Sequence, residues 1–353
     1  MVDFYTRKFC RFICIIEIHK IHNFLLSMRK VFINGSYVDE KEAKISIYDS
    51  ALMFGDMVFE MTRSFNNKQF KLKEHIDRLY KGLKILRIPI NYTKNELIDI
   101  CSEVQKINGE FFSNTDEHRL LINVSRGPLG IYHRLFDKVE PTVVVADFPL
   151  KWTVSGMDEL LNPTSGINAV ITSQRAIPSD LLETKIKSRS RMHYQMANIE
   201  ASLYSGKNNW AVLLDNDGYL TEGTGDNIFL VKDGIIYTPE PRNILVGISR
   251  NYIFEIAKEL GIKVVEKNLE EYDAFDCDEF FMTATPFCLL PVFKFNNIEI
   301  SSEIGPITKA LHDKWSQNVG LNIWSQIKSF SDECRNESNT APTPYVFNPE
   351  VSS

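Results

Sequence analysis

The chain has 353 residues, 44% hydrophobic and 24% charged, with a formal net charge of −6. This is the composition of a folded globular chain long enough for two domains, and its acidic balance gives no electrostatic footprint for nucleic acid. Six cysteines (Cys10, Cys14, Cys101, Cys277, Cys288 and Cys334) stand apart with no CxxC pair, so no disulfide framework and no metal site is expected, and a reducing cytoplasm is the expected setting.

Residues 9–16 are apolar, but Arg11 and Glu17 interrupt the run and no small-residue cleavage site follows. The stretch is neither a signal peptide nor long enough to span a bilayer. Residues 1–27 therefore read as an N-terminal extension, with the fold opening at Met28. From there 28–148 reads as a small α+β domain. A hairpin is expected around Asn34-Gly35, the strongest short hairpin signal. Two strands are expected at 57–65 and 69–72, and a helix at 73–86 with Leu79, Leu83 and Leu86 on one face. A second helix follows at 92–107 behind Thr93, then apolar β-branched strands at 118–125 and 142–148.

Residues 149–167 carry Pro149, Gly156, Pro163 and Gly166 and read as a linker. A larger domain is expected over 168–328. It opens with a strand at AVITS, and a helix follows near 192–204. Strands at 210–214, 227–232 and 235–238 are separated by Asp-Gly turns. A helix at 249–260 stops on Gly261, and strands follow at 264–268, 279–283 and 291–295. The stretch 329–353 is rich in Ser, Asn, Pro and Thr and reads as a disordered tail.

Four segments point to one anionic, ring-containing ligand. In EHIDRLY, Arg78 opens a helix face and could offer a bidentate fork to a phosphate; alone, it reads better as a surface salt bridge to Asp77 or Glu74. In ETKIKSRSRMHYQMANIEA, Lys185, Lys187, Arg189 and Arg191 alternate, so one face of an extended segment would carry four cations. Such a cluster wants an anion in front of it, and a lysine there could form a Schiff base; a solvated basic loop is the plainer alternative. In LTEGTGDNIF, Glu222 is followed by Gly223 and Gly225, and a buried carboxylate there could pair with a protonated ring nitrogen. In LVGISR, Gly247, Ile248 and Ser249 open a helix whose free N–H groups suit a phosphate, and Thr285 after the strand at 279–283 could add a hydroxyl.

Taken in order, FGDMVFE (54–60), EHIDRLY (74–80), LTEGTGDNIF (220–229), LVGISR (245–250) and FMTATP (281–286) resemble the fold-type IV pyridoxal-phosphate enzymes. That group contains branched-chain aminotransferases, D-amino-acid aminotransferases and aminodeoxychorismate lyase. The resemblance implies two α/β domains with pyridoxal 5'-phosphate in the cleft between them. It carries the phosphate contacts onto Arg78, Gly247, Ile248, Ser249 and Thr285, and the pyridine-nitrogen partner onto Glu222. The catalytic, cofactor-bearing lysine falls on Lys187, whose spacing to 196–201 (MANIEA) matches without a gap. Tyr194 joins the cofactor set, although the run RSRMHY departs from the common pattern, in which a tyrosine stands five residues after the lysine. Phe59, Arg63, His133 and Ala284 are the implied substrate contacts. Phe59 and Arg63 lean towards branched-chain L-amino acids with 2-oxoglutarate as partner oxo acid, by ping-pong chemistry. A D-amino-acid aminotransferase, a β-eliminating lyase and a non-catalytic cofactor binder remain alternatives. The resemblance further implies a homodimer acting on small amino and 2-oxo acids, with no nucleic-acid or membrane partner.

Overall fold

The computed structural model describes residues 28–335; the expected extension 1–27 and residues 336–353 of the expected tail lie outside them. The chain first builds a five-stranded antiparallel sheet from β1 (Lys30–Ile33), β2 (Ser36–Asp39), β3 (Met57–Met61), β6 (His118–Ser125) and β7 (Thr142–Pro149), in the order β2-β1-β7-β6-β3. The first hairpin turns through Asn34 (φ 43°) and Gly35 (φ 93°), the left-handed pair that a two-residue turn of primed type needs. Between β3 and the helix Leu72–Leu86 lies a short hairpin of β4 (Ser64–Phe65) and β5 (Lys68–Gln69). The expected strand over 57–65 is therefore broken at Thr62-Arg63, and the expected strand at 69–72 shrinks to its first residue.

The helices Leu72–Leu86 and Lys94–Asn108 cover one face of this sheet. Their stripes, Ile76, Leu79 and Leu83 on one and Leu97 and Val104 on the other, are buried against Val58, Leu120 and Ile122. The second helix opens on a capping box, in which Thr93 accepts from the Glu96 amide and the Glu96 carboxylate accepts from the Thr93 amide.

The second sheet has nine strands: β8 (Ile167–Arg175), β9 (Asn209–Leu214), β10 (Leu220–Gly223), β11 (Asn227–Lys232), β12 (Ile235–Pro239), β13 (Val264–Lys267), β14 (Glu279–Ala284), β15 (Cys288–Phe295) and β16 (Ile298–Glu299). Its order is β10-β9-β8-β15-β14-β11-β12-β13, with β16 on β15, and a further pairing of β10 with β11 through Glu222 and Asn227 closes six of these strands into a ring. β14 is buried at every position, as a strand packed on both faces must be, and Phe281 stacks on Phe229 with ring centroids 4.9 Å apart. Against this sheet pack the helices Met192–Ser202, Ile248–Glu259, Pro306–Val319 and Ile323–Cys334.

Two expectations change here. The stretch 149–167, read as a linker, holds two short helical turns, Lys151–Val154 and Met157–Leu161, and buries Leu150, Val154 and Leu160 in the larger core. The tail expected from 329 begins as ordered helix: Ile323–Cys334 buries Phe330, and Ser331 Oγ accepts from the Gly156 amide. The helix Pro306–Val319 answers to no expectation from the sequence. It starts on Gly305-Pro306, ends on Gly320 at φ 75°, and buries Leu311 and Trp315.

Candidate active site

The cleft between the two sheets, a space of about 410 Å³, is lined by Arg78, Lys187, Tyr194, Glu222, Gly247, Ile248, Ser249, Ala284 and Thr285, all singled out from the sequence. Arg191, Gly223, Gly225, Asp226, Asn227, Leu245 and Thr283 complete the wall.

Lys187 reaches the cleft because its segment pairs with the edge of the small sheet. The Phe59 amide donates to the Lys187 carbonyl (2.9 Å), the Arg189 amide donates to the Met57 carbonyl (3.0 Å), and Val58 bridges Ser188. In an extended segment alternate side chains part, so Ile186 goes into the small core while Lys187 projects over the Phe59 ring, Nζ 4.9 Å from its centroid. Burial, reinforced by the guanidiniums of Arg191 and Arg78, holds the Lys187 ammonium well below its usual range, favouring a neutral amine. The four alternating cations do not share one face. Lys185 turns out to solvent, with Nζ 3.1 Å from Glu183, Arg189 reaches Asn123, and only Lys187 and Arg191 line the cleft.

Across the cleft, Glu222 lies within β10, buried to 6% exposure. Tyr194 Oη donates to its Oε1 (2.7 Å), while Asn227 Nδ2 and the Leu245 amide donate to Oε2 (3.0 Å each). Burial outweighs these bonds and raises the Glu222 carboxyl to about 7; burial and the neighbouring Glu222 charge raise Asp226 to about 8. Two buried carboxyls so perturbed call for a cationic or proton-bearing ligand group.

The other end of the cleft suits a phosphate. Gly247 caps the helix Ile248–Glu259 with no side chain on its first amides, leaving N–H groups and the positive helix end facing the space. A Cβ at Gly247 would run into Asn227 Oδ1. Thr283 Oγ1 is buried with no partner in the protein, a hydroxyl whose bond a ligand would complete. Arg78 is held by the buried Glu60, with Nε–Oε1 at 2.6 Å and Nη2–Oε2 at 2.8 Å, and it donates from Nη1 to the Val246 carbonyl (2.9 Å). Burial pushes Glu60 up, but the charges of Arg78 and His75 win and bring it down to about 2. Amine, ring-nitrogen partner and phosphate cup therefore fit pyridoxal phosphate.

Two expected substrate contacts lie elsewhere. Arg63, next to the break after β3, is 1% exposed and turned into the core between the domains. It donates to the Ser64 and Pro286 carbonyls and to Gln326 Oε1, and it stacks on Phe65 at 3.8 Å. It is a structural tie and does not line the cleft. His133 lies in the exposed turn Gly130–Leu135, its Nδ1 3.0 Å from the Gly130 carbonyl, also outside the cleft. Phe59 borders the site through its ring under Lys187, and Ala284 lines it directly. Sequence reasoning missed Arg191, Asp226, Asn227, Leu245 and Thr283 as cleft residues; the signal for Arg191 lay in the cationic run but could not be told from its neighbours.

The fold and the cleft together define a pyridoxal-phosphate enzyme of fold type IV. Residues 57–295 match the family model for class IV amino-transferases. A Methanocaldococcus jannaschii protein provisionally named a branched-chain-amino-acid aminotransferase is 40% identical over 81% of this chain and 95% of its own length. A D-alanine aminotransferase of Staphylococcus haemolyticus is 30% identical over 83% of this chain and 98% of its own. A branched-chain aminotransferase from T.th., solved with pyridoxamine 5'-phosphate, superposes with a TM-score of 0.72 at 29% identity over 83% of this chain and 95% of that one. The chain belongs to the class IV aminotransferase family. It is a pyridoxal-phosphate-dependent transaminase.

Proposed function

We propose that the chain moves the amino group of a branched-chain L-amino acid to 2-oxoglutarate by ping-pong chemistry, with Lys187 as the catalytic amine. The observation that carries this reading is the buried Lys187 Nζ, held well below its usual pKa range in a cleft it shares with Glu222 and standing over the apolar Phe59 ring. The M. jannaschii relative and the solved T.th. structure support the branched-chain assignment.

Pyridoxal phosphate supplies an exchangeable carbonyl and an electron sink. Lys187 Nζ would hold it and would move the proton at the substrate Cα. Glu222 keeps the ring nitrogen protonated, and Tyr194 and Asn227 fix that carboxylate's orientation. Arg78, Thr285, Ser249 and the amides after Gly247 hold the phosphate, while Phe59 offers an apolar floor for an aliphatic side chain and Ala284 borders the substrate. A single amine in a single cleft supports two successive half-reactions, the first product leaving before the second oxo acid enters.

Homodimer formation is supported by an unpartnered apolar face. Tyr48 packs on Tyr132 at 4.7 Å and the Ser50 amide donates to the Gly127 carbonyl, so the stretches that carry Ile47, Leu52 and Phe54 and Ile131 and Leu135, all at least half exposed, are neighbours. Among the described residues no helix is long and apolar enough to cross a membrane. A cytoplasmic setting is supported by the buried thiols Cys101, Cys277 and Cys288.

The substrate assignment is tested by mixing the holoenzyme with single amino acids. L-leucine is expected to convert the visible absorption of the bound cofactor and D-alanine to leave it unchanged. Conversion by D-alanine alone would favour the activity named for the S. haemolyticus relative, and conversion by neither would remove the branched-chain reading.

A further inference from the structure

Three cations border the cleft, and two of them are already engaged. Arg78 uses its fork on buried Glu60 and the Val246 carbonyl, and Lys187 is the amine assigned to the cofactor. Arg191 differs. Its Nε donates to the Ser188 carbonyl (2.9 Å), and its guanidinium lies between two rings, 5.0 Å from the Phe59 centroid and 5.2 Å from that of Tyr194. Among the described residues Nη1 and Nη2 have no acceptor, and no carboxylate forms an ion pair with them. The nearby Glu222 has both oxygens taken by Tyr194, Asn227 and the Leu245 amide, and the Asp226 carboxyl, raised to about 8 by its burial, forms no ion pair with Arg191. A planar fork fixed by one backbone bond and two rings, with its two outer donors open to the cleft, is preorganised for a carboxylate. Arg63 is locked away in the core, and Arg189, whose guanidinium lies over the same Phe59 ring at 3.6 Å, donates to Asn123 Oδ1.

We propose that Arg191 receives the carboxylate common to the amino-acid and oxo-acid substrates and so acts as the substrate-anchoring residue of this transaminase. The phosphate is served by the helix end, the threonine hydroxyls and Arg78, and the ring nitrogen by Glu222, so the anionic groups left for the two outer donors of Arg191 are the cofactor's ring oxygen and the substrate's own carboxylate. Arg191 and Lys187 border the same ring, 5.0 and 4.9 Å from the Phe59 centroid, so a carboxylate held by Arg191 keeps the substrate's Cα near the amine. The proposal rests on this cleft being where substrates react, but it does not depend on which side chain the substrate carries.

The test measures binding of three unreactive probes, valerate, its neutral amide valeramide, and glutarate, to the holoenzyme through the change in cofactor absorption. An ion-paired, hydrogen-bonded carboxylate accounts for roughly a tenfold to hundredfold difference in affinity. Arg191→Gln is therefore expected to weaken valerate by about tenfold or more and valeramide by less than about twofold, with bound cofactor retained. Arg191→Lys, which keeps the charge but not the fork, is expected to bind valerate with intermediate affinity. Equal weakening of valerate and valeramide, no weakening of either, weakening of glutarate alone, or loss of cofactor from both variants overturns the proposal. An enzyme that ignores L-leucine yet shows the expected valerate result would lose its branched-chain assignment and keep this one.

Discussion

At the scale of single residues the site is governed by burial. Glu222 and Asp226 would be ordinary surface acids in solvent; inside β10 and the turn after it they are held at about 7 and about 8. Because their folded values lie above their unfolded ones, the stability they contribute is complete below the ordinary carboxylate range and is lost as pH rises through about 7 and about 8. The cofactor-free protein should therefore melt at lower temperature as pH rises across that window, and Glu222→Gln should flatten part of the fall. The same substitution should lower transamination by about a hundredfold or more, since it removes the group that keeps the ring nitrogen charged; a near-normal rate at saturating cofactor would contradict the role. Arg63→Ala should cost roughly 2–4 kcal/mol, because it empties a buried side chain's place and removes its bonds to the Pro286 carbonyl and Gln326. It should leave the affinity for 2-oxo acids unchanged, and a raised KM with normal stability would return Arg63 to the site. Arg78, Glu222 and Gly247 were legible as cleft residues because each sits in a short motif whose chemistry stands out. Arg63 was not, because spacing along a strand cannot reveal that the strand breaks at Thr62-Arg63 and turns the side chain inward.

At the scale of elements, what positions the site is strand pairing and helix capping. Lys187 is delivered by two backbone hydrogen bonds to β3, and the phosphate cup is the bare N-terminus of one helix. Another helix is capped from a distance. The Glu279 carboxylate, on β14, accepts from the Ile307 and Thr308 amides at 2.9 and 2.7 Å and from the Thr308 hydroxyl at 2.6 Å. Glu279→Ala should destabilise the protein by about 1–3 kcal/mol through that helix start, read as a lower denaturation midpoint with the cofactor spectrum intact. An unchanged midpoint would mean the cap contributes nothing. The hairpin at Asn34-Gly35 and the Thr93–Glu96 capping box were readable because their signals are local. The helix Pro306–Val319 carries an equally local pair of signals, Gly305-Pro306 and Gly320, yet no helix is expected there, and its neighbour Ile323–Cys334 reads partly as tail. Their amphipathic stripes are short and interrupted by polar residues, and only the packing of Leu311, Trp315 and Phe330 on the large sheet makes them decisive.

At the scale of the whole molecule, two sheets meet so that the small one's edge holds the lysine segment and its covering helix brings the arginine, while the large one brings the carboxylate, the hydroxyls and the helix end. That two successive groups of strands form separate sheets was legible in the alternation of strand and helix patterns. The closing of the larger sheet through the single Glu222–Asn227 pair was not, since long-range pairing leaves no periodic trace. If the apolar face around Phe54 and Ile131 seals a homodimer, Ile131→Glu should shift the mass in solution from two chains to one, and a single-chain mass for the unaltered protein would remove the dimer from the account. The measurement that tests the central claim most directly is to reduce the holoenzyme with borohydride, digest it and find by mass spectrometry which lysine carries the cofactor. The predicted result is modification of Lys187 alone, absent from Lys187→Ala. Modification at Lys185, or at no lysine of this segment, would contradict it.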